Sequence, residues 1–195
     1  MQSLFDYIIS TENRYNNIID VDGKELVVNT EITERDYMFV NRIGKVLQIP
    51  VYNNSTIKKG DYVIIHHNVF RRWIDIHGNE KNSSSFLKEN EYLVNQDQIF
   101  AYKRNKDWAC LPEYCFVKPI YKNDEWALKT DENLSGVLTY SNDILKSLGM
   151  SIGDVVGFTP NSEYEFEVEG QKLYRILSNH ITINYGSQKK SYRSC

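Results

Sequence analysis

Cysteine and histidine are the residues of this sequence whose side chains most readily bind metals or act as nucleophiles. Cys110 and Cys115 have a spacing outside that of zinc knuckles, and no nucleophile signature surrounds Cys115. His66 and His67 are adjacent, and consecutive side chains of a strand point to opposite faces, so the two are not expected to bind one ion. These patterns predict neither a metal site nor a catalytic site. The odd count of three cysteines predicts free thiols in a reducing, cytoplasmic compartment.

The sequence also has few features of a protein that binds nucleotides, nucleic acids or membranes. Neither glycine-rich phosphate-binding pattern is present, and a net charge of −3 disfavours nucleic acid as the main partner. No apolar run is long enough for a membrane helix. Arg71, Arg72 and Trp73 could bind an anion or stack on a base, but a subunit contact or arginine stems that cover apolar surface are favoured. We therefore expect a protein-binding protein that is not an enzyme and has no cofactor.

Short apolar runs bounded by turn residues dominate the chain and predict an all-β fold. The abundance of tyrosine, isoleucine and valine also favours strands. The one predicted helix covers Asp143 to Leu148 and ends at Gly149. Gly44 is predicted to mark a bulge or bend, and Ser83-Ser84-Ser85 is predicted to be the flexible tip of a hairpin.

Several landmarks occur twice along the chain in the same order, which indicates an internal repeat. A strand with a Gly-x-Val or Gly-x-Leu start is followed by a Gly-Asp pair ahead of an apolar strand, and then by a strand that contains tyrosine. The predicted domains are residues 1–104 and 113–195, joined by a linker at 105–112; one irregular all-β sandwich is the alternative. The matched segments are Gly44–Leu47 with Gly136–Leu138, Lys59–Val63 with Ile152–Val156, and Tyr92–Val94 with Tyr174–Ile176.

The two Gly-Asp pairs, Gly60-Asp61 and Gly153-Asp154, have a structural explanation. Glycine permits a positive φ in the turn before the strand, and aspartate caps such a turn by accepting backbone N–H bonds. We therefore expect both pairs to stabilise the fold rather than to take part in chemistry.

Together these segments resemble the GroES-type co-chaperonin family, which has a Gly-x-Val-Leu strand, a Val-Gly-Asp-x-Val strand and a closing Asp-Ile-Leu-Ala strand. The resemblance implies two tandem GroES-like small β-barrels. It also implies a homo-oligomer that forms a ring and docks as a lid on a GroEL-type chaperonin to assist protein folding. The matching segments are Gly44–Leu47, Ile57–Ile65, Glu91–Val94 and Asp97–Ala101 in the first copy, and Gly136–Leu138, Ile152–Phe158 and Ile176–Ile183 in the second.

The resemblance places chaperonin binding in a mobile loop after the first strand, where family members carry a short apolar tripeptide that enters an apolar groove. In the first copy this loop is residues 11–34, which are polar and expected to be mobile. The matching tripeptide is Leu26, Val27 and Val28. The alternative is that Glu25 to Thr30 forms a hairpin strand of the barrel itself.

The second copy departs from the family pattern. Its loop is shorter, and Trp126 and Leu128 are predicted either as a second chaperonin anchor or as part of a core-facing strand. The connections that correspond to the family's roof hairpin are also short, at Gln48–Lys59 and Thr139–Ile152. These departures favour the alternative function, a structural or assembly protein such as a virion component that kept the fold without lid activity.

Overall fold

The chain divides into two compact units, Met1–Arg104 and Asn105–Cys195. In the described residues both units consist of antiparallel strands, and the second also contains one short α-helix. The fold is therefore all-β, as the short apolar runs predict. The computed structural model describes residues 2–15, 18–21, 24–27, 39–120 and 134–187.

Six strands of the first unit lie in one sheet, in the order β10-β5-β4-β1-β9-β8. Two further pairs, β2 with β3 and β6 with β7, form small hairpins outside this sheet. The strands are β1 (Tyr7–Ser10), β2 (Ile18–Val21), β3 (Lys24–Val27), β4 (Ile43–Gln48), β5 (Tyr62–Ile65), β6 (Arg72–Ile74), β7 (Glu80–Asn82), β8 (Phe86–Lys88), β9 (Glu91–Val94) and β10 (Ile99–Arg104).

The second unit has the same strand order, because its six-stranded sheet runs β17-β14-β13-β12-β16-β15. Each strand has the chain position of its counterpart in the first unit, from β1 and β12 to β10 and β17. A short 3₁₀ turn precedes the last strand in both units, at Gln96–Gln98 and Ser178–His180. The elements are β11 (Asp107–Cys110), β12 (Tyr114–Pro119), β13 (Ser135–Tyr140), α1 (Asp143–Ser147), β14 (Asp154–Phe158), β15 (Tyr164–Val168), β16 (Gln171–Leu177) and β17 (Ile181–Ser187).

The described residues form sheets but no closed barrel. In the first unit β8 and β10 are not paired with each other, and in the second unit the same holds for β15 and β17. The strand order therefore recurs in both units without the closure that the family resemblance implies.

The predicted linker at 105–112 is not an irregular connection. Its central residues form β11, in which Trp108 and Cys110 are buried. The indole Nε1 of Trp108 donates to a carboxylate oxygen of Glu169, another residue of the second unit, at 3.4 Å. The sequence did not predict this strand, because turn-forming residues lie on both sides of it and it is too short to show a period.

Gly44 and Gly136 occupy equivalent places in the two sheets, and neither marks a bulge. An added Cβ at Gly44 would overlap the Cγ2 methyl of Ile9, and one at Gly136 would overlap the Cγ1 methyl of Val117. The extra residue of the bulge in each pairing lies further along the glycine's own strand, at Leu47 in β4 and at Thr139 in β13. The predicted bulge at Gly44 is therefore wrong, since glycine is needed there for close packing against the first strand.

The Gly-Asp turns have the same geometry in both units. Gly60 and Gly153 adopt φ values of +92° and +95°, a region that favours glycine. The carboxylate of Asp61 accepts the backbone N–H three residues earlier at 2.8 Å, and Asp154 does the same at 2.9 Å. The predicted capping role is confirmed.

Each unit has its own apolar core. In the first unit the rings of Phe70 and Tyr92 meet edge to face with centroids 4.7 Å apart, and in the second Phe116 and Phe166 do so at 5.5 Å. Cys115 is fully buried in the second core, and this burial raises the pKa of its thiol to about 12. The thiol therefore stays protonated and acts as a small apolar side chain.

The helix α1 begins after Asn142, whose side-chain oxygen accepts the backbone N–H of Leu145 at 2.9 Å. Gly149 follows the helix with a φ of +82°. The predicted helix is confirmed to within one residue. In the described ranges, no helix combines the length and apolar character of a membrane span.

Candidate functional site

The β2–β3 hairpin contains the described part of the predicted chaperonin anchor. Its strands pair with Ile18 opposite Val27 and Ile19 opposite Leu26. The hairpin forms a two-stranded sheet of its own and is not part of the main sheet of the first unit. It is therefore a local structure that lies outside the framework shared by the two units.

Leu26 is an exposed apolar residue of this hairpin, with 54% of its surface open to solvent. Leu26 and Val27 both belong to β3, which lies within the residues 11–34 that the sequence predicts to be a mobile loop. The described part of Glu25 to Thr30 is thus a hairpin strand, and in the described residues it pairs with β2 alone and not with the main sheet. Val28, Trp126 and Leu128 lie outside the described residues.

The segment 16–39, which contains the hairpin, is attached to the first unit through a closed neck. Tyr15 and Val40 flank the segment, form an antiparallel bridge and are both buried. Beside them, the side-chain amide of Asn41 donates to Oγ1 of Thr11 at 3.0 Å. This neck, defined by Tyr15 and Val40, fixes the residues on either side of the segment 16–39.

Two arginines join the neck to the base of the β6–β7 hairpin. Arg14 donates through Nε to the carbonyl oxygen of Phe70 at 3.1 Å, and through a terminal guanidinium nitrogen to Oδ1 of Asn82 at 2.8 Å. The backbone N–H of Arg72 donates to the hydroxyl oxygen of Tyr15 at 2.8 Å, and its guanidinium carbon lies 5.3 Å from the centre of that ring. The segment 16–39 and the β6–β7 hairpin therefore share one base.

The β6–β7 hairpin presents an apolar surface that includes Trp73, which the sequence singled out with Arg71 and Arg72, and also Ile74 and Ile76, which it did not. Trp73, Ile74 and Ile76 are 53%, 56% and 97% exposed. Asp75 stabilises the turn between β6 and β7, because its Oδ1 accepts the backbone N–H groups two and four residues later, both at 2.9 Å. The sequence signal for this surface was the apolar run at residues 73–76, which is followed by a polar turn and then by the polar strand at residues 80–82.

Ser83-Ser84-Ser85, predicted to be the flexible tip of a hairpin, is not a tip in the structure. Ser85 is only 6% exposed, and the hydroxyl of Ser83 donates to the carbonyl oxygen of Val69 at 2.6 Å. The serine run therefore lies at the base of the β6–β7 hairpin. The prediction is wrong because serine also satisfies backbone groups inside a folded turn.

His66 and His67 lie beyond the end of β5, so the argument from strand alternation does not hold for them. Their ring centres are 4.2 Å apart. Burial, followed by the charges of His66, Arg42 and Arg71, lowers the pKa of His67 to about 3, so this ring is neutral at pH 7. Across the described ranges, no three His, Cys, Asp or Glu side chains are grouped as a metal site requires.

The chain matches no protein-family model and no curated protein sequence. Support for a function therefore comes from the chain's own residues and from the geometry of the two units. The most distinctive geometry is the pair of hairpins that leave the first unit from one base.

Proposed function

We propose that this chain is a tandem, divergent co-chaperonin of the GroES type, which docks on a GroEL-type chaperonin as a ring-forming lid. The observation that carries the proposal is Leu26, an exposed leucine on a hairpin that stands apart from the main sheet. The neck between Tyr15 and Val40 attaches this hairpin to the first unit. An apolar side chain on an element of this kind suits insertion into an apolar groove of a partner.

The repeated sheet supports the tandem part of the proposal. Both units have the same order of six strands, a glycine packed against the first strand, and a capped Gly-Asp turn. These are the segments that resemble the GroES-type family. In the proposal, each unit is a divergent form of the family's small β-barrel.

The energetics of docking through Leu26 are favourable. Full burial of a leucine side chain contributes about 1.5–3 kcal/mol. An isolated two-stranded hairpin is only marginally stable in water, so a partner that binds the folded hairpin also stabilises it. Because the neck already fixes both ends of the segment, less conformational entropy is lost on binding than for a free chain end.

The test measures mass by light scattering for the full chain, alone and mixed with a GroEL-type chaperonin, with and without ATP. We expect the wild-type chain to form a defined oligomer that joins the chaperonin only when ATP is present. Leu26→Asp should weaken this complex at least about tenfold, because a charged group replaces the side chain that enters the groove.

Leu4→Asp is the matched control, since Leu4 is also exposed in the first unit, at 61%, but lies outside the segment 16–39. This variant should bind the chaperonin as the wild type does. If the wild-type chain does not bind the chaperonin in the presence of ATP, the lid proposal is overturned in favour of a structural or assembly role. Unchanged binding by Leu26→Asp would remove Leu26 as the anchor.

A further inference from the structure

We infer that the β6–β7 hairpin is a second docking element for the same chaperonin, with Ile76 as its anchor. The inference rests on the proposed function, from which it takes the partner. It goes beyond that function by assigning a binding role to a hairpin that lies outside the segment 16–39.

Exposed apolar side chains lie on both faces and in the turn of this hairpin. Trp73 and Ile74 are consecutive residues of β6 and therefore lie on opposite faces, while Ile76 lies in the turn. All three are more than half exposed. Single exposed apolar residues are common, but three that cover both faces and the turn of one short hairpin suit insertion into an apolar groove.

Several hydrogen bonds and an ion pair hold the turn and strands of this hairpin together. Two hydrogen bonds to Oδ1 of Asp75, a backbone bond from Asp75 to the carbonyl oxygen of Asn79, and an ion pair between Arg72 and Glu80 hold the hairpin in one geometry. Rigid presentation lowers the entropy lost on binding. The side chain of Ile76 is therefore exposed on an ordered turn.

The shared base of the two elements favours one partner for both. The β6–β7 hairpin and the segment 16–39 share a base through the contacts of Arg14 with Asn82 and of Tyr15 with Arg72. A partner that binds Leu26 on one of these insertions comes close to the root of the other. The same apolar surface of the chaperonin is therefore the occupant that this geometry favours.

The second unit supplies a comparison within the chain. Its strands β14 and β15 are joined by residues 159–163 alone, which form a tight connection with Asn161 at a φ of +57°. The first unit has the whole β6–β7 hairpin between the corresponding strands. The second docking element therefore belongs to the first unit only.

The experiment is a binding titration of the full chain against an ATP-loaded GroEL-type chaperonin. We expect Ile76→Asp to weaken binding about tenfold, and the double variant with Leu26→Asp to bind more weakly than either single variant. Ile152→Asp is the matched control, because Ile152 is also an exposed isoleucine beside a turn, at 61%, but lies in the second unit. Ile76→Ser, a milder change, should also weaken binding.

Four outcomes would overturn the inference. If Ile76→Asp binds like the wild type while Leu26→Asp does not, the hairpin has no docking role and the proposed function stands. If the wild-type chain itself does not bind, both proposals are wrong. Equal loss with the Ile152→Asp control would show a general effect of added charge. A lower mass of the free oligomer for Ile76→Asp would show that the hairpin contacts a second copy of the chain instead.

Discussion

The two units share one order of strands and differ in the segments inserted between those strands. In the first unit, the segment 16–39 follows β1 and the β6–β7 hairpin follows β5, and both carry exposed apolar residues. In the second unit the latter position is a short connection at 159–163, and residues 121–133, at the former position, lie outside the described residues. The recurrent parts are those that hold the sheet together, whereas the additions are candidates for function.

Even a shared turn is closed by different chemistry in the two units. Asp61 accepts two hydrogen bonds from the guanidinium group of Arg104, at 3.0 and 2.7 Å. Its counterpart Asp154 instead accepts the side-chain amide of Asn184 at 3.3 Å. The backbone geometry of the turn is therefore conserved between the units while its electrostatics are not.

The largest effect is expected from a methyl group added to the shared framework. In Gly136→Ala the new Cβ would overlap Val117 and lie 2.6 Å from the carbonyl oxygen of Lys118, a backbone atom that cannot rotate away. We expect the upper end of the usual overpacking cost of about 1–3 kcal/mol. Gly44→Ala should cost less, since its nearest backbone atom is 3.2 Å away. Urea denaturation followed by circular dichroism measures both free energies of unfolding.

Gly157→Ala is the control for these two variants. An added Cβ at Gly157 would meet its nearest atoms at 3.4–3.6 Å, which is ordinary contact. This change should be neutral or stabilise the protein by up to about 1 kcal/mol, because alanine has less backbone freedom to lose than glycine. Wild-type stability for Gly136→Ala would show that the close packing of β12 and β13 is not what requires glycine there.

The fold was predictable from the sequence wherever a local signal determines the structure. The Gly-Asp turns and the helix after Asn142 follow from capping and from the φ angles that glycine permits. The strand at 107–110 was missed because a four-residue strand has too short a pattern to be distinguished from a loop. Whether the sheets close could not be predicted, since strand pairing depends on contacts between residues far apart in sequence.

An intermediate effect is expected from removal of one charge at the Gly-Asp turn. Asp61→Asn leaves the guanidinium of Arg104 without its carboxylate partner, whereas Asp154→Asn retains an amide oxygen that can still accept the existing bonds. We expect a loss of about 1–2 kcal/mol for Asp61→Asn, allowing for the partial exposure of Arg104, and below about 1 kcal/mol for Asp154→Asn.

The matched measurement is urea denaturation of the two variants at low and high salt. Added salt should reduce the difference between wild type and Asp61→Asn, because it screens an ion pair whose arginine is partly exposed. It should leave the effect of Asp154→Asn unchanged. Equal losses in both variants would show that the charge of Arg104 contributes nothing to this turn.

The candidate site was less predictable than the fold. An apolar triplet in a polar stretch was enough to single out Leu26, but its sequence did not reveal that it belongs to a separate hairpin. The exposed residues Ile74 and Ile76 were missed, since an apolar run in an all-β chain is usually a core strand. The shared base could not be inferred at all, because the contact of Tyr15 with Arg72 joins residues distant in sequence.

A pH dependence is expected for the first unit. Burial and the neighbouring charges of His66, Arg42 and Arg71 lower the pKa of His67 from 6.5 to about 3. Between these values the unfolded chain binds more protons than the folded chain, so the stability of the first unit is fully present above pH 6.5 and declines as the pH falls below it. The equivalent position in the second unit is Pro160, which does not titrate.

Hydrogen-exchange protection factors at pH 7 and pH 5 measure this difference within one intact chain. Protection should fall more in β5 and β10 than in β14 and β17, because the half-buried His67, whose pKa is lowered, follows β5 closely and β5 pairs with β10. His67→Gln should remove the excess loss, since glutamine takes up no proton in this range. An equal fall in both units, or a loss that persists in His67→Gln, would show that other groups govern the acid sensitivity.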